Sequence, residues 1–149
     1  MEYRKFGDRY VVRIDRGEEI IASLTQVCKT EHIKLGSISG IGAADDVTLG
    51  VFNIEKFEYE SSRFTGVFEI VSCLGSVSTK DGEPYLHLHM AVANTSSGEA
   101  HAGHLNRGLI SLTGEFIIHS VDGTVEREYS NDVGLNLFKF VDSGAENEA

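Results

Sequence analysis

The sequence predicts an α+β domain: a mostly antiparallel sheet with one principal helix near the N-terminus. Three observations predict it. Only one segment carries a helical period. From Ile33 onward, short apolar or alternating runs lie between turn signals, the pattern of strands. And 16 glycines but a single proline, Pro84, punctuate the 149 residues, a composition suited to strands joined by tight turns.

Taken in order, "RYVVRID" (Arg9 to Asp15) alternates and reads as a strand. "RGEEIIASLTQVCKTEHI" switches to a helical period, with Ile20, Leu24, Val27 and Cys28 on one stripe. Glu18 and Glu19 fall in its first turn, where negative charge suits the helix dipole. "LGSISGIGAADDVTLGVFN" reads as two strands around a Gly-Ile-Gly-Ala turn. "KFEYES" and "TGVFEIVSCLGSVS" follow as strands, the second alternating Val67, Glu69, Val71 and Cys73 against Phe68, Ile70, Ser72 and Leu74. Asp81-Gly82 is a hairpin signal, and Pro84 opens the next strand, where a missing N–H is tolerated. After the turn "NTSSGE", "GLISLTGEFIIHSVDGTVEREY" reads as a long strand, a Val-Asp-Gly-Thr turn and a return strand. Residues 1–142 form one domain on this reading, and 143–149 a frayed acidic tail.

Composition bounds the function. Hydrophobic residues make up 41% of the chain, enough for a single core. No apolar run is long enough to cross a membrane, and "MEYRKFGDRY" lacks the apolar segment of a signal peptide. Cys28 and Cys73 read as isolated buried thiols, which together with the above predicts a cytoplasmic protein. The net charge of -10 opposes non-specific attraction to nucleic acid or anionic membrane, and no Lys/Arg-rich arm offsets it.

Four of the six histidines lie within "PYLHLHMAVANTSSGEAHAGHL". In "YLHLHMAV" the period of two sends Tyr85, His87, His89 and Ala91 to one face, and Leu86, Leu88, Met90 and Val92 toward a core. Same-face neighbours have Cα atoms roughly 6.5–7 Å apart, so His87 and His89 can converge on one ion about 2.0–2.1 Å from each nitrogen. The "NTSSGE" turn brings the chain back, and either His101 or His104 can supply a third nitrogen. Three histidines leave a position open for water or a small-molecule ligand, as in catalytic zinc sites. The plainer reading of His-x-His is a pair of half-exposed polar residues. His32 reads as a helix-end residue and His119 as a satisfied sheet residue.

Glu69 and Glu115 sit among apolar strand residues, where a carboxylate needs a partner. Each is a candidate to orient an imidazole, shuttle a proton, or pair with Arg107 or Arg127. Ser72, Ser76 and Ser78 lack the strand–turn–helix setting of a nucleophile elbow. "GSISGIGA" does not complete a dinucleotide-binding glycine motif, so no cofactor-binding residue is assigned, and no catalytic one.

Five segments in order, "RYVVRIDRGEEIIASL", "GSISGIGAADDVTLGVF", "GVFEIVSCLGSVS", "PYLHLHMAVA" and "AGHL", resemble the plant-and-prokaryote-conserved (PPC) domain. The resemblance runs from about Tyr3 to Phe140. It implies an α+β fold, assembly as a homotrimer, and a metal site usually taken as zinc in prokaryotic members. The family pattern is His-x-His followed by Gly-Gly-His-Leu. Carried over, the ligands are His87, His89 and His104, with His101 on a non-ligand position and Ala102 where the first glycine is usual. The fold is also similar to acetolactate decarboxylase, a zinc lyase with a His-x-His strand and a later histidine.

Three functional readings follow. The family's usual label is DNA-associated or transcription-linked, but this chain has no Arg-Gly-Arg core, and a trimer would carry about -30, which opposes the phosphate backbone. The leading expectation is therefore a cytoplasmic homotrimer holding zinc or another divalent transition metal. The alternative is a metal-dependent, lyase-like enzyme acting on a small anionic or carbonyl substrate. A third is a metal-stabilised interaction module.

Overall fold

The computed structural model describes residues 1–140. The expected domain end at 142 and the acidic tail 143–149 lie outside the described residues. The elements are β1 (Glu2–Phe6), β2 (Arg9–Asp15), α1 (Ile20–Thr30), β3 (Gly36–Asn53), β4 (Glu58–Lys80), β5 (Glu83–Asn94), β6 (Glu99–Ser120), β7 (Glu126–Ser130) and β8 (Leu135–Lys139).

The helix forms where its stripe is apolar: Ile20, Leu24, Val27 and Cys28 are all buried. Its first turn carries no acidic residue. Glu19 is instead the N-cap, accepting from the Ala22 N–H at 2.7 Å and from the Gly108 N–H at 3.0 Å. Glu18 lies outside the helix and accepts from the N-terminal amine at 2.7 Å. The helix stops at Thr30, short of the expected Ile33, because His32 turns the chain at φ +56°.

The strands run in the order β1-β2-β6-β3-β4-β7-β8, and β5 pairs with both β4 and β6. β3, β4, β5 and β6 therefore form a closed ring of antiparallel pairings. Inside it, Val47, Leu49, Phe68, Ile70, Leu88, Met90 and Phe116 join the helix stripe in one core. The sheet is antiparallel throughout except for one parallel bridge, Thr79↔Glu126.

Three expectations need correction. The Gly-Ile-Gly-Ala segment does not reverse the chain. It carries register shifts at Gly40/Gly42 and Ala44/Asp46, so β3 is one bulged strand rather than two. "KFEYES" and "TGVFEIVSCLGSVS" likewise fuse into β4, whose shift at Ile70/Ser72 changes the inward set: Phe68 and Ile70 are buried, then Cys73. The strand after "VDGT" does not return along β6. The Thr79 N–H donates to the Val125 carbonyl at 2.9 Å, which draws β7 to the edge of β4 beyond the point where β3 begins. There β7 pairs with β8.

Asp46 ties the bulged part of β3 to both neighbours. It accepts from Arg63 of β4 at 2.8 and 2.9 Å and from Arg107 of β6 at 2.7 Å. Hydrogen bonds from Arg63 and then Arg107 hold its carboxyl down at about 2. Its folded value lies below the ordinary 3.8, so its contribution is present above that value and is lost as pH falls toward 2. Asp46→Asn should lower the thermal midpoint at neutral pH and flatten its decline between pH 4 and 2. Parallel pH curves for the two proteins would remove Asp46 from this role.

Candidate metal centre

Two turns set the register of the site. Asp81 and Gly82, at φ +54° and +80°, form the tight turn from β4 to β5. It places Ser76 opposite His87 and Leu74 opposite His89. At the next turn the Asn94 side chain accepts from the Ser96 and Ser97 N–H groups at 2.9 and 3.1 Å. The chain returns along β5 with His104 directly opposite His89. As the alternation requires, Leu88, Met90 and Val92 are buried, while His87 and His89 stand on the outer face.

His87, His89 and His104 each offer one ring nitrogen, and the three nitrogens lie within 4.8 Å of one another. Ring centroids are 5.2 Å apart for His87–His89, 5.0 Å for His87–His104 and 5.6 Å for His89–His104. His101 is not part of this group. It lies three residues before His104 on the same strand and so faces the other way. Its ring stacks on Phe64 at 3.6 Å, and its Nε2 lies 2.6 Å from Glu99.

Two glycines allow the close packing beneath the histidines. A side chain at Gly75 would run into the His87 carbonyl oxygen. One at Gly103 would meet the Gly50 carbonyl oxygen at 2.8 Å. Ala102 lies within β6, exposed and without positive φ, so alanine fits where the family pattern has its first glycine.

Two of the three rings, His87 and His104, are pushed toward the neutral form. Burial, then the nearby charges of His104, Arg127 and His89, push His87 down to about 4. Burial likewise lowers His104, followed by the charges of His89 and Arg127. Neutral rings keep their lone pairs, and three nitrogen donors fit zinc, nickel, copper or iron better than magnesium or calcium. Tyr59 stands edge-on to His104 at 6.2 Å and donates to Asn106 at 2.7 Å.

The other sequence candidates lie elsewhere. Glu69 and Glu115 are exposed and line a groove with Ile41, Val71 and Leu112. Neither pairs with Arg107, which binds Asp46, nor with Arg127. His119 lies 3.0 Å from Asp8, and His32 lines a separate cavity with Lys5, Tyr10 and Lys34. By sequence, Arg127 is a candidate partner only for those glutamates. It instead lies against the histidine face: its guanidinium sits 4.7 Å from the Tyr85 ring, two residues before His87. Periodicity cannot reveal this, because β7 reaches the site through a non-local edge contact.

Residues 1–122 match the Plants and Prokaryotes Conserved (PCC) domain. The chain belongs to this family. A candidate DNA-binding protein from Bacteroides thetaiotaomicron is 36% identical, with a TM-score of 0.89 over 93% of this chain and 96% of that one. A plant- and prokaryote-conserved protein from Pyrococcus horikoshii is 32% identical, with a TM-score of 0.81 over 94% and 96%. A metal-containing protein from Archaeoglobus fulgidus is 27% identical, with a TM-score of 0.83 over 93% and 97%. Acetolactate decarboxylase from Bacillus subtilis, at 12% identity and a TM-score of 0.54 over 82% of this chain and 57% of that one, shares the fold alone. No curated protein of similar sequence was found.

The electrostatics of this PCC-domain site give a direct expectation. In chelator-treated protein the His87 ring should titrate near 4, followed by its imidazole proton resonances. A midpoint at the ordinary histidine value of 6.5 would contradict the half-buried placement.

Proposed function

We propose that this PCC-domain protein holds one zinc-like ion per chain at His87, His89 and His104. The observation that carries the reading is the convergence of three imidazoles on one face of the β5–β6 pair. His89 is exposed, so a three-coordinate ion there would keep a solvent-facing position for water or a small ligand. That open side favours, as the second reading, a metal-dependent, lyase-like enzyme acting on a small anionic or carbonyl substrate, where the ion would supply Lewis acidity. The similarity to a metal-containing archaeal protein supports the first part.

The assembly we propose is a homotrimer. Its support is an outer face rich in exposed apolar residues: Val11, Ile41, Val71, Leu74, Leu112 and Ile117. Contiguous apolar surface of this kind marks an interaction site. The relative from Bacteroides thetaiotaomicron carries a DNA-binding description. For this chain we favour no direct duplex contact, since the net charge is -10. Two free, buried cysteines suit a reducing compartment, and we place the protein in the cytoplasm.

Elemental analysis combined with light scattering tests the reading. As-purified protein should contain about one transition-metal ion per chain. The His87→Ala/His89→Ala double mutant should contain none, while His101→Ala keeps it. The trimer should survive chelation, because its stabilisation would scale with buried apolar area at about 25 cal/mol per Å². Full metal in the double mutant sinks the site. A monomer before chelation sinks the trimer, and dissociation on chelation alone would make the metal a structural element.

A further inference from the structure

We propose that Arg127 is the anion-binding residue of this centre, and that its ligand is a small carboxylate with one carboxylate on the guanidinium and a further oxygen on the metal. The inference rests on the metal reading above and adds the class of ligand.

Arg127 lies on β7, which follows the residues matched to the family, and folds back over the histidine face. Its Nε donates to Ser78 Oγ at 2.8 Å and its Nη1 to the Asn136 carbonyl at 2.9 Å. Nη2 reaches Ser76 Oγ only at 3.5 Å. Ser76 is the cross-strand partner of His87, and Tyr85 precedes His87 by two residues on the same face. The guanidinium thus stands against Tyr85 and beside Ser76, the same-face neighbour and the cross-strand partner of His87.

The charge is half-buried, and burial lowers its pKa from the ordinary arginine value. Arg4, Arg9, Arg13, Arg63 and Arg107 each meet a carboxylate, and Arg16, which meets none among the described residues, is exposed to water. Among the described residues Arg127 meets none. A partly desolvated cation without a counter-charge is costly, and it lies beside a site that would gain a dication. An anion bridging the two would relieve both.

The shape of the opening narrows the anion. The guanidinium carbon is 4.7 Å from the Tyr85 ring centroid and 4.4 Å from that of Phe138. With aromatic rings against the guanidinium, Nε held by Ser78 and one Nη1 hydrogen by the Asn136 carbonyl, the second Nη1 hydrogen and the weakly held Nη2 are what a planar carboxylate would take through parallel N–H···O bonds. Asn136, on the same face of β8 as Phe138, has a buried Oδ1 with no hydrogen-bond partner. That oxygen is an acceptor and gives a carboxylate nothing to bind, so recognition of the anion rests on the guanidinium.

The test is calorimetric titration of zinc-loaded protein with malonate, with acetate and inorganic phosphate alongside. Malonate should bind wild type more tightly than either. Arg127→Gln should weaken malonate roughly 10- to 100-fold while zinc content stays at the wild-type level. Arg127→Lys, which keeps the charge but loses the fork, should fall between them. Equal malonate affinity in Arg127→Gln, no malonate binding to wild type, or phosphate binding as tightly as malonate would each overturn the proposal. Failure of wild type to hold zinc would instead overturn the metal reading. Should Arg127→Gln not fold, a crystal of zinc-loaded wild type with malonate decides: a carboxylate on the edge of Arg127 supports the inference, and malonate bound elsewhere rejects it.

Discussion

The pairing of His89 with His104 across β5 and β6 is the constraint on which the site depends. Residues directly opposite in an antiparallel pair share a face, so this one register puts a third imidazole beside two supplied by a single strand. A slip by one residue would turn His104 inward and leave His87 and His89 as a surface pair. The register is held at several points. The Asn94 turn fixes one end, Gly75 and Gly103 let the neighbouring strands approach, and Asp46 clamps β3 to β4 and β6. Much of the chemistry of this chain is therefore a matter of strand alignment.

Alternation alone placed His87 and His89 outward and Leu88 and Met90 inward, because β5 is unbulged across those residues and period two holds. It left His101 and His104 as equal candidates. Counting parity along β6 separates them, since residues three apart face opposite ways. The helix stripe was legible from Ile20, Leu24, Val27 and Cys28, but its start was not, because Glu19 serves as a cap through a hydrogen bond to distant Gly108 as well as to Ala22. The length of β3 and β4 was hidden by glycines that mark bulges rather than turns. The path of β7 was hidden by a contact 46 residues apart in sequence, Thr79 to Val125. That contact, with Arg127–Ser78 beside it, brings Arg127 to the histidine face.

The outer face joins the two properties proposed for this protein. Leu74 lies opposite His89, Ser39 opposite Leu74, Ile117 opposite Ser39, and Val11 opposite Ile117. One cross-strand row thus runs from the histidines into the exposed apolar surface. A subunit seated on that surface would border the metal centre and narrow its access to water. Such a border would strengthen electrostatic attraction between the centre and a bound anion, because screening weakens as water is excluded. The acidic net charge of the chain makes the half-buried cation at Arg127 the more notable for lacking a carboxylate among the described residues.

The central claim is that three imidazoles hold one metal ion. The most direct measurement is anomalous diffraction at the metal absorption edge, from crystals grown without added metal. The account predicts one peak per chain, about 2.0–2.1 Å from a ring nitrogen of each of His87, His89 and His104. An edge-specific map with no peak at the three histidines, or with its peak at His101 or His119 instead, would contradict it.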